Sequence, residues 1–158
     1  MKIYPAQIGQ LKQVFPVYIV TGQEWVLVAD TIKQIHHYLQ RQNSLDRMTY
    51  VIEKDFQWTI LRNQLKHPDL FSEKKWIELQ FPDLPDERSK SFLKELSLNH
   101  TDTVLLIILP KLDQKNLNAA WLNHLEKQGV LITVYPPKSF QTWLQAFIQK
   151  QGFQLQPH

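Results

Sequence analysis

Cysteine is absent from the 158 residues. That excludes disulfides and thiolate metal sites, and it fits a reducing, cytoplasmic setting. No apolar run approaches the ~18 residues of a membrane-spanning helix. The N-terminal Met1-Lys2-Ile3-Tyr4-Pro5 lacks the long apolar stretch of a signal peptide. Net charge is small, at +3, and no segment is strongly basic. Contact with DNA is therefore expected to be weak or indirect and salt-sensitive, unlike that of a dedicated DNA reader. Glycine is scarce, with 4 in the whole chain, which leaves little material for glycine-rich ligand loops. What is present is core material. Apolar residues make up 43% and aromatics 11%, with 5 Trp and 8 Phe, enough to bury one domain's interior and to argue against disorder.

Periodicity divides the chain into alternating strands and helices. Val17-Tyr18-Ile19-Val20, closed by Thr21-Gly22, reads as a buried strand. A helix is predicted from Glu24 to about Arg41, with Trp25, Val28, Ile32, Ile35 and Leu39 on one face. Met48–Ile52 is a second strand, and Phe56–Lys66 a helix with Ile60, Leu61 and Leu65 inward. Trp76–Leu79 reads as a strand that alternates or lies near an edge. Asp86–Leu98 is helical, with Phe92, Leu93 and Leu96 as its stripe. Thr103–Leu109 is the strongest strand and should be covered on both faces. Asp113–Gln128 reads as one helix, closed by Gly129 just past its end. Val130–Val134 is a fifth strand, Pro136-Pro137 breaks the chain, and a last helix runs from Phe140 to Lys150 before Gly152. Five strands alternating with helices predict a three-layer, doubly wound α/β domain with a mainly parallel five-stranded sheet. The Pro-Pro pair sets the domain boundary, giving residues 1–137 and 138–158. By pattern alone the last stretch is either the opening of a truncated second domain or a helix packing back on the sheet.

Ligands in such folds sit beyond the C-terminal ends of the strands, first of all after strand one. A phosphate-binding loop needs several glycines and a Lys-Ser/Thr pair. Here the turn is Thr21-Gly22-Gln23-Glu24-Trp25. It has one glycine and no lysine, and Glu24 stands where an anion would be repelled. The strongest strand ends Ile108-Leu109-Pro110, without the carboxylate that would hold magnesium. No ATP hydrolysis, cofactor or metal is expected. His36 and His37 are adjacent on a helix and point about 100° apart, which is wrong for sharing a metal. They and His67, His100, His124 and His158 read as solvated residues. Asp86 before a helix is its N-cap, with Glu87 in the first turn. No serine lies in a G-x-S-x-G turn. No catalytic residue can be named.

One segment stands out: Lys66-His67-Pro68-Asp69-Leu70-Phe71-Ser72-Glu73-Lys74-Lys75. The preceding helix should end near His67, since a residue before proline avoids helical geometry. Two large apolar residues then sit side by side in a short polar connection. They either fold back as a cap on the core or protrude as a plug. Burying a Leu and a Phe in a partner's pocket contributes roughly 3–6 kcal/mol before the costs of association, enough for a hot spot.

Several stretches carry a family resemblance. Ile3-Tyr4-Pro5-Ala6-Gln7, Tyr18-Ile19-Val20-Thr21-Gly22-Gln23-Glu24 and Leu70-Phe71-Ser72-Glu73-Lys74-Lys75 come first. Lys111-Leu112-Asp113-Gln114, Asn118-Ala119-Ala120-Trp121 and Trp143-Leu144 follow in order. Together they resemble the N-terminal part of the delta subunit of bacterial DNA polymerase III, a clamp-loader component. The resemblance implies an AAA+-like domain of the P-loop NTPase type, with Gly22, Gln23 and Glu24 as a degenerate, non-binding phosphate loop. It implies that Leu70 and Phe71 contact the sliding clamp (the beta subunit) and help open it during replication, with Pro68, Ser72 and Lys74 as flanking contacts. It implies no intrinsic enzyme activity, polymerase activity belonging to the holoenzyme. It also implies partners in delta prime and gamma or tau, reached mainly through C-terminal domains, and a helical lid opening at residues 138–158. Pro68 departs from the family, some relatives having Met there; that bears on an extra contact and on the preceding turn. The alternative is a small-ligand or nucleotide-binding α/β domain using the strand-end crevice near Gly22.

Overall fold

A computed structural model describes residues 1–42, 46–66, 75–98, 102–136, 140–150 and 152. In chain order the elements are β1 (Lys2–Ile3), a 3₁₀ turn (Pro5–Gln10), β2 (Val17–Gly22), α1 (Trp25–Gln42), β3 (Asp46–Val51) and α2 (Trp58–Lys66). They continue with β4 (Lys75–Gln80), α3 (Glu87–Glu95), β5 (Thr103–Leu109), α4 (Gln114–Leu117), α5 (Ala120–Glu126), β6 (Gly129–Val134) and α6 (Phe140–Lys150). The strands form one sheet in the order β1-β6-β2-β5-β4-β3, every neighbouring pair parallel. The three-layer α/β reading holds, with six strands instead of five. The extra strand is β1, two residues long and so without a period to detect.

Two apolar layers flank the sheet. One unites Leu27, Val28, Ile32, Ile35 and Leu39 of α1 with Tyr18, Val20, Trp76, Leu106 and Ile132 of the strands. The other unites Leu61, Phe92, Leu93, Trp121, Leu122 and Leu125 of the helices with Ile19, Ile77, Leu79, Leu105 and Leu131. This is why β5 is apolar at every position: all seven of its residues are buried.

Four expectations need correction. β4 lies near an edge, as expected, but it does not alternate. It lies between β5 and β3, and Trp76 to Leu79 are all buried. Glu78 disguised it, because a carboxylate in the middle suggests a solvent face. Gly129 does not close a helix; it is the first residue of β6 and lies against the carbonyl of Val17. The single helix over 113–128 is two, α4 and α5, broken where Ala119 is extended (φ −70°, ψ 148°). Finally, Trp25 and Ile60 face outward, at 64% and 52% exposure, each at the margin of an apolar stripe whose centre is buried.

Candidate functional site

The strand-end crevice is built by β2 and α1. β2 runs extended through Gly22, and α1 begins at Trp25, so only Gln23 and Glu24 connect them. Thr21 donates its hydroxyl to the carbonyl of Pro110 at 2.7 Å, which ties this end of β2 to the end of β5. A Cβ on Gly22 would come within 2.9 Å of both Val134 Cβ and Val28 Cγ2. The glycine therefore serves close packing of β2, β6 and α1. A loop that cradles phosphate has to bow outward and turn several N–H groups inward; a two-residue connection has no length for that. Gln23, Glu24, Trp25 and Val26 are all exposed, the carboxylate of Glu24 among them. Among the described residues, no three His, Asp or Glu side chains gather as a metal site.

Leu70 and Phe71 lie outside the described residues, as do Pro68, Ser72 and Lys74. α2 ends at Lys66 and β4 starts at Lys75, paired with Thr103. Lys75 N–H donates to Asp102 O at 3.1 Å. β4 thus begins at the N-terminal end of the parallel sheet. Gln23 and Glu24 lie at the opposite, C-terminal end of the same parallel sheet. A six-residue strand is about 20 Å long, so the first residue of β4 and the crevice are separated by the depth of the sheet.

Asp86 caps α3 as expected, its carboxylate accepting from Ser89 N–H at 2.9 Å. That hydrogen bond holds its pKa below the usual carboxylate range. His37 is exposed, whereas His36 and His124 are not simply solvated. His124 Nε2 lies 2.6 Å from Leu96 O. His36 Nε2 lies 3.0 Å from Glu78 Oε2, below an exposed Arg47. Periodicity placed His36 on the helix but had no means of finding its partner, 42 residues away. His67, His100 and His158 lie outside the described residues. An open groove of about 780 Å³ separates α2 from α3, floored by Trp58 and Phe92, with Arg62, Arg88 and Glu95 on its walls.

Among the described residues no helix is long and apolar enough to cross a membrane. Fold and site together define a parallel three-layer α/β domain whose β2–α1 connection is too short to cradle a phosphate. Residues 18–135 match the family model described as DNA polymerase III, delta subunit, and the chain belongs to that family. It is 22% identical over 161 residues to DNA polymerase III subunit delta of Escherichia coli K12, which covers 98% of this chain and 47% of that protein. Its fold is similar to the DNA clamp loader delta protein of Bacillus subtilis, with a TM-score of 0.58 and 15% identity over 93% of this chain and 46% of that one. The chain spans about half the length of each of these relatives.

Proposed function

We propose that this chain binds a DNA polymerase sliding clamp through Leu70 and Phe71 and favours the clamp's open form during loading onto DNA. The observation that carries the reading is the family match over residues 18–135. It is joined by the chain order, in which Leu70 and Phe71 fall between the end of α2 at Lys66 and the start of β4 at Lys75. Leu70 and Phe71 enter an apolar pocket of the clamp, with Pro68, Ser72 and Lys74 at its rim. A plug that fits the open clamp better than the closed one shifts the population by its difference in affinity. No hydrolysis by this chain is needed; ATP bound by other loader subunits drives the cycle. Residues 1–137 are the clamp-binding domain, and α6 opens a helical lid over 138–158. Delta prime and gamma or tau engage the half of the relatives not matched here. The setting is cytoplasmic, and DNA contact is weak or indirect.

The test is clamp affinity of the wild type against L70A/F71A, with far-UV circular dichroism and melting followed in parallel. Affinity should fall at least a hundredfold, on the order of 3 kcal/mol or more, with the melting temperature nearly unchanged. A large loss of stability with clamp binding retained would show that the pair caps the core.

A further inference from the structure

Glu78 is the one charged side chain in the buried set of the described residues, at 3% exposure in the middle of β4. Its Oε2 is 3.0 Å from His36 Nε2 on α1, and its Oε1 accepts from Gln80 Nε2 at 3.2 Å. Arg47, on the outer strand β3, completes the group. Its Nη1 lies 2.9 and 3.0 Å from the two ring nitrogens of His36 and 4.0 Å from Glu78 Oε2. The guanidinium also lies over Trp76, 5.8 Å from the ring centroid. Three elements, α1, β4 and β3, are thereby tied together by one carboxylate.

A buried ionic group stabilises a fold less than well-packed apolar residues of the same volume do. Its best-attested use is to select one register among several. β3 needs such a selector. It is an outer strand, hydrogen-bonded to β4 alone. Its residues Arg47, Met48, Thr49 and Val51 are exposed, so little apolar burial anchors it. A slip of two residues keeps every side chain on its own face, and the binary pattern does not oppose it. It would carry Arg47 about 6.6 Å from His36 and Glu78, breaking the group.

β3 in turn carries α2. Tyr50 donates its hydroxyl to Gln64 Oε1 at 2.6 Å, and its ring meets Phe56 edge-on at 6.0 Å. Gln64 lies two residues before the end of α2, where the segment with Leu70 and Phe71 begins. We propose that Glu78, His36 and Arg47 are positioning residues for clamp binding: they pin the register of β3 and so fix the last turn of α2, which Leu70 and Phe71 follow closely in the chain. The proposal rests on the clamp-binding reading above.

The test compares the full chain with R47Q, E78Q and the R47Q/E78Q double variant, alongside L70A/F71A. Clamp affinity and hydrogen exchange are both read. Arg47 is half-exposed and Glu78→Gln is isosteric, so native circular dichroism is expected throughout. Each single variant should weaken clamp binding about 3–10-fold, and the double should be no worse than the weaker single, because both break one group. Exchange should quicken in β3 and the last turn of α2 while β2 and β6 stay protected. Wild-type affinity in R47Q, additive losses in the double, or a uniform rise in exchange would each overturn the proposal. Unchanged clamp binding by L70A/F71A would instead sink the clamp-binding reading, and the exchange pattern would still decide whether the group pins β3.

Discussion

A methyl group on Gly129 would lie 1.8 Å from the carbonyl oxygen of Val17 and 2.6 Å from its carbon. Val17 and Gly129 are register partners in β2 and β6, so relief requires two central strands to part. Gly129→Ala should cost about 3 kcal/mol or more, at the upper end of overpacking penalties, measured by urea denaturation. In the sequence this glycine reads as a helix terminator, because a C-cap and a close strand contact leave the same single letter. Glu78 gives a pH prediction. Burial pushes its pKa up, but hydrogen bonds from His36 and Gln80 and the charges of His36 and Arg47 outweigh that and leave it below the ordinary value. A carboxylate lowered in the folded state contributes stability above its unfolded pKa, and that contribution is lost as pH falls through the folded value. Glu78→Gln should therefore flatten the acid side of the stability profile, seen as a smaller drop in melting temperature between pH 5 and 3. Tyr18 sets the opposite limb. Burial raises its pKa to about 12, against the lowering hydrogen bond from Phe15 N–H. A group raised in the folded state contributes fully below its unfolded pKa of about 10, and the contribution is lost as pH rises from there through 12. Tyr18→Phe should be less sensitive to alkali over that range in thermal melts.

The helices were legible where capping and stripe agree. Asp86, Phe92 and Leu93 specify α3 in the sequence and do so in the structure, whereas Leu96 is extended and the helix ends at Glu95, three residues before the expected Leu98. Asp86→Ala should cost ~1 kcal/mol, the usual value of an N-cap, checked by chemical denaturation. The break between α4 and α5 was not legible. Leu117, Trp121 and Leu125 keep a spacing of four across it, so the apolar stripe continues while the backbone does not. Asp113 caps the first piece by accepting from Asn116 N–H at 2.8 Å, and Ala119 re-enters extended. The short strand β1 escaped for a related reason. Two residues hold no period, and Lys2–Ile3 becomes a strand only because β6 is there to pair with it, at Leu131 and Ile132.

At the scale of the molecule, the C-terminal end of the sheet is closed by packing. There Gly22 is packed against Val134 and Val28, and two residues span from β2 to α1. Millimolar Mg-ATP should leave the melting temperature unchanged; a concentration-dependent rise would reveal nucleotide binding through linkage and revive the small-ligand alternative. The stretch between Lys66 and Lys75 carries Leu70-Phe71 in a polar sequence. The sequence by itself determined the alternation of strands and helices, the burial of β5 on both faces, the missing phosphate-loop residues and the family resemblance. These are local patterns or chain-order matches, written in neighbouring letters. Only the tertiary structure decided that β4 is interior, that Gly129 meets Val17 and that His36 and Arg47 meet Glu78. Those facts depend on which strands lie side by side. Strand order is set by the summed burial of two apolar layers, and that sum has no signature within any one segment.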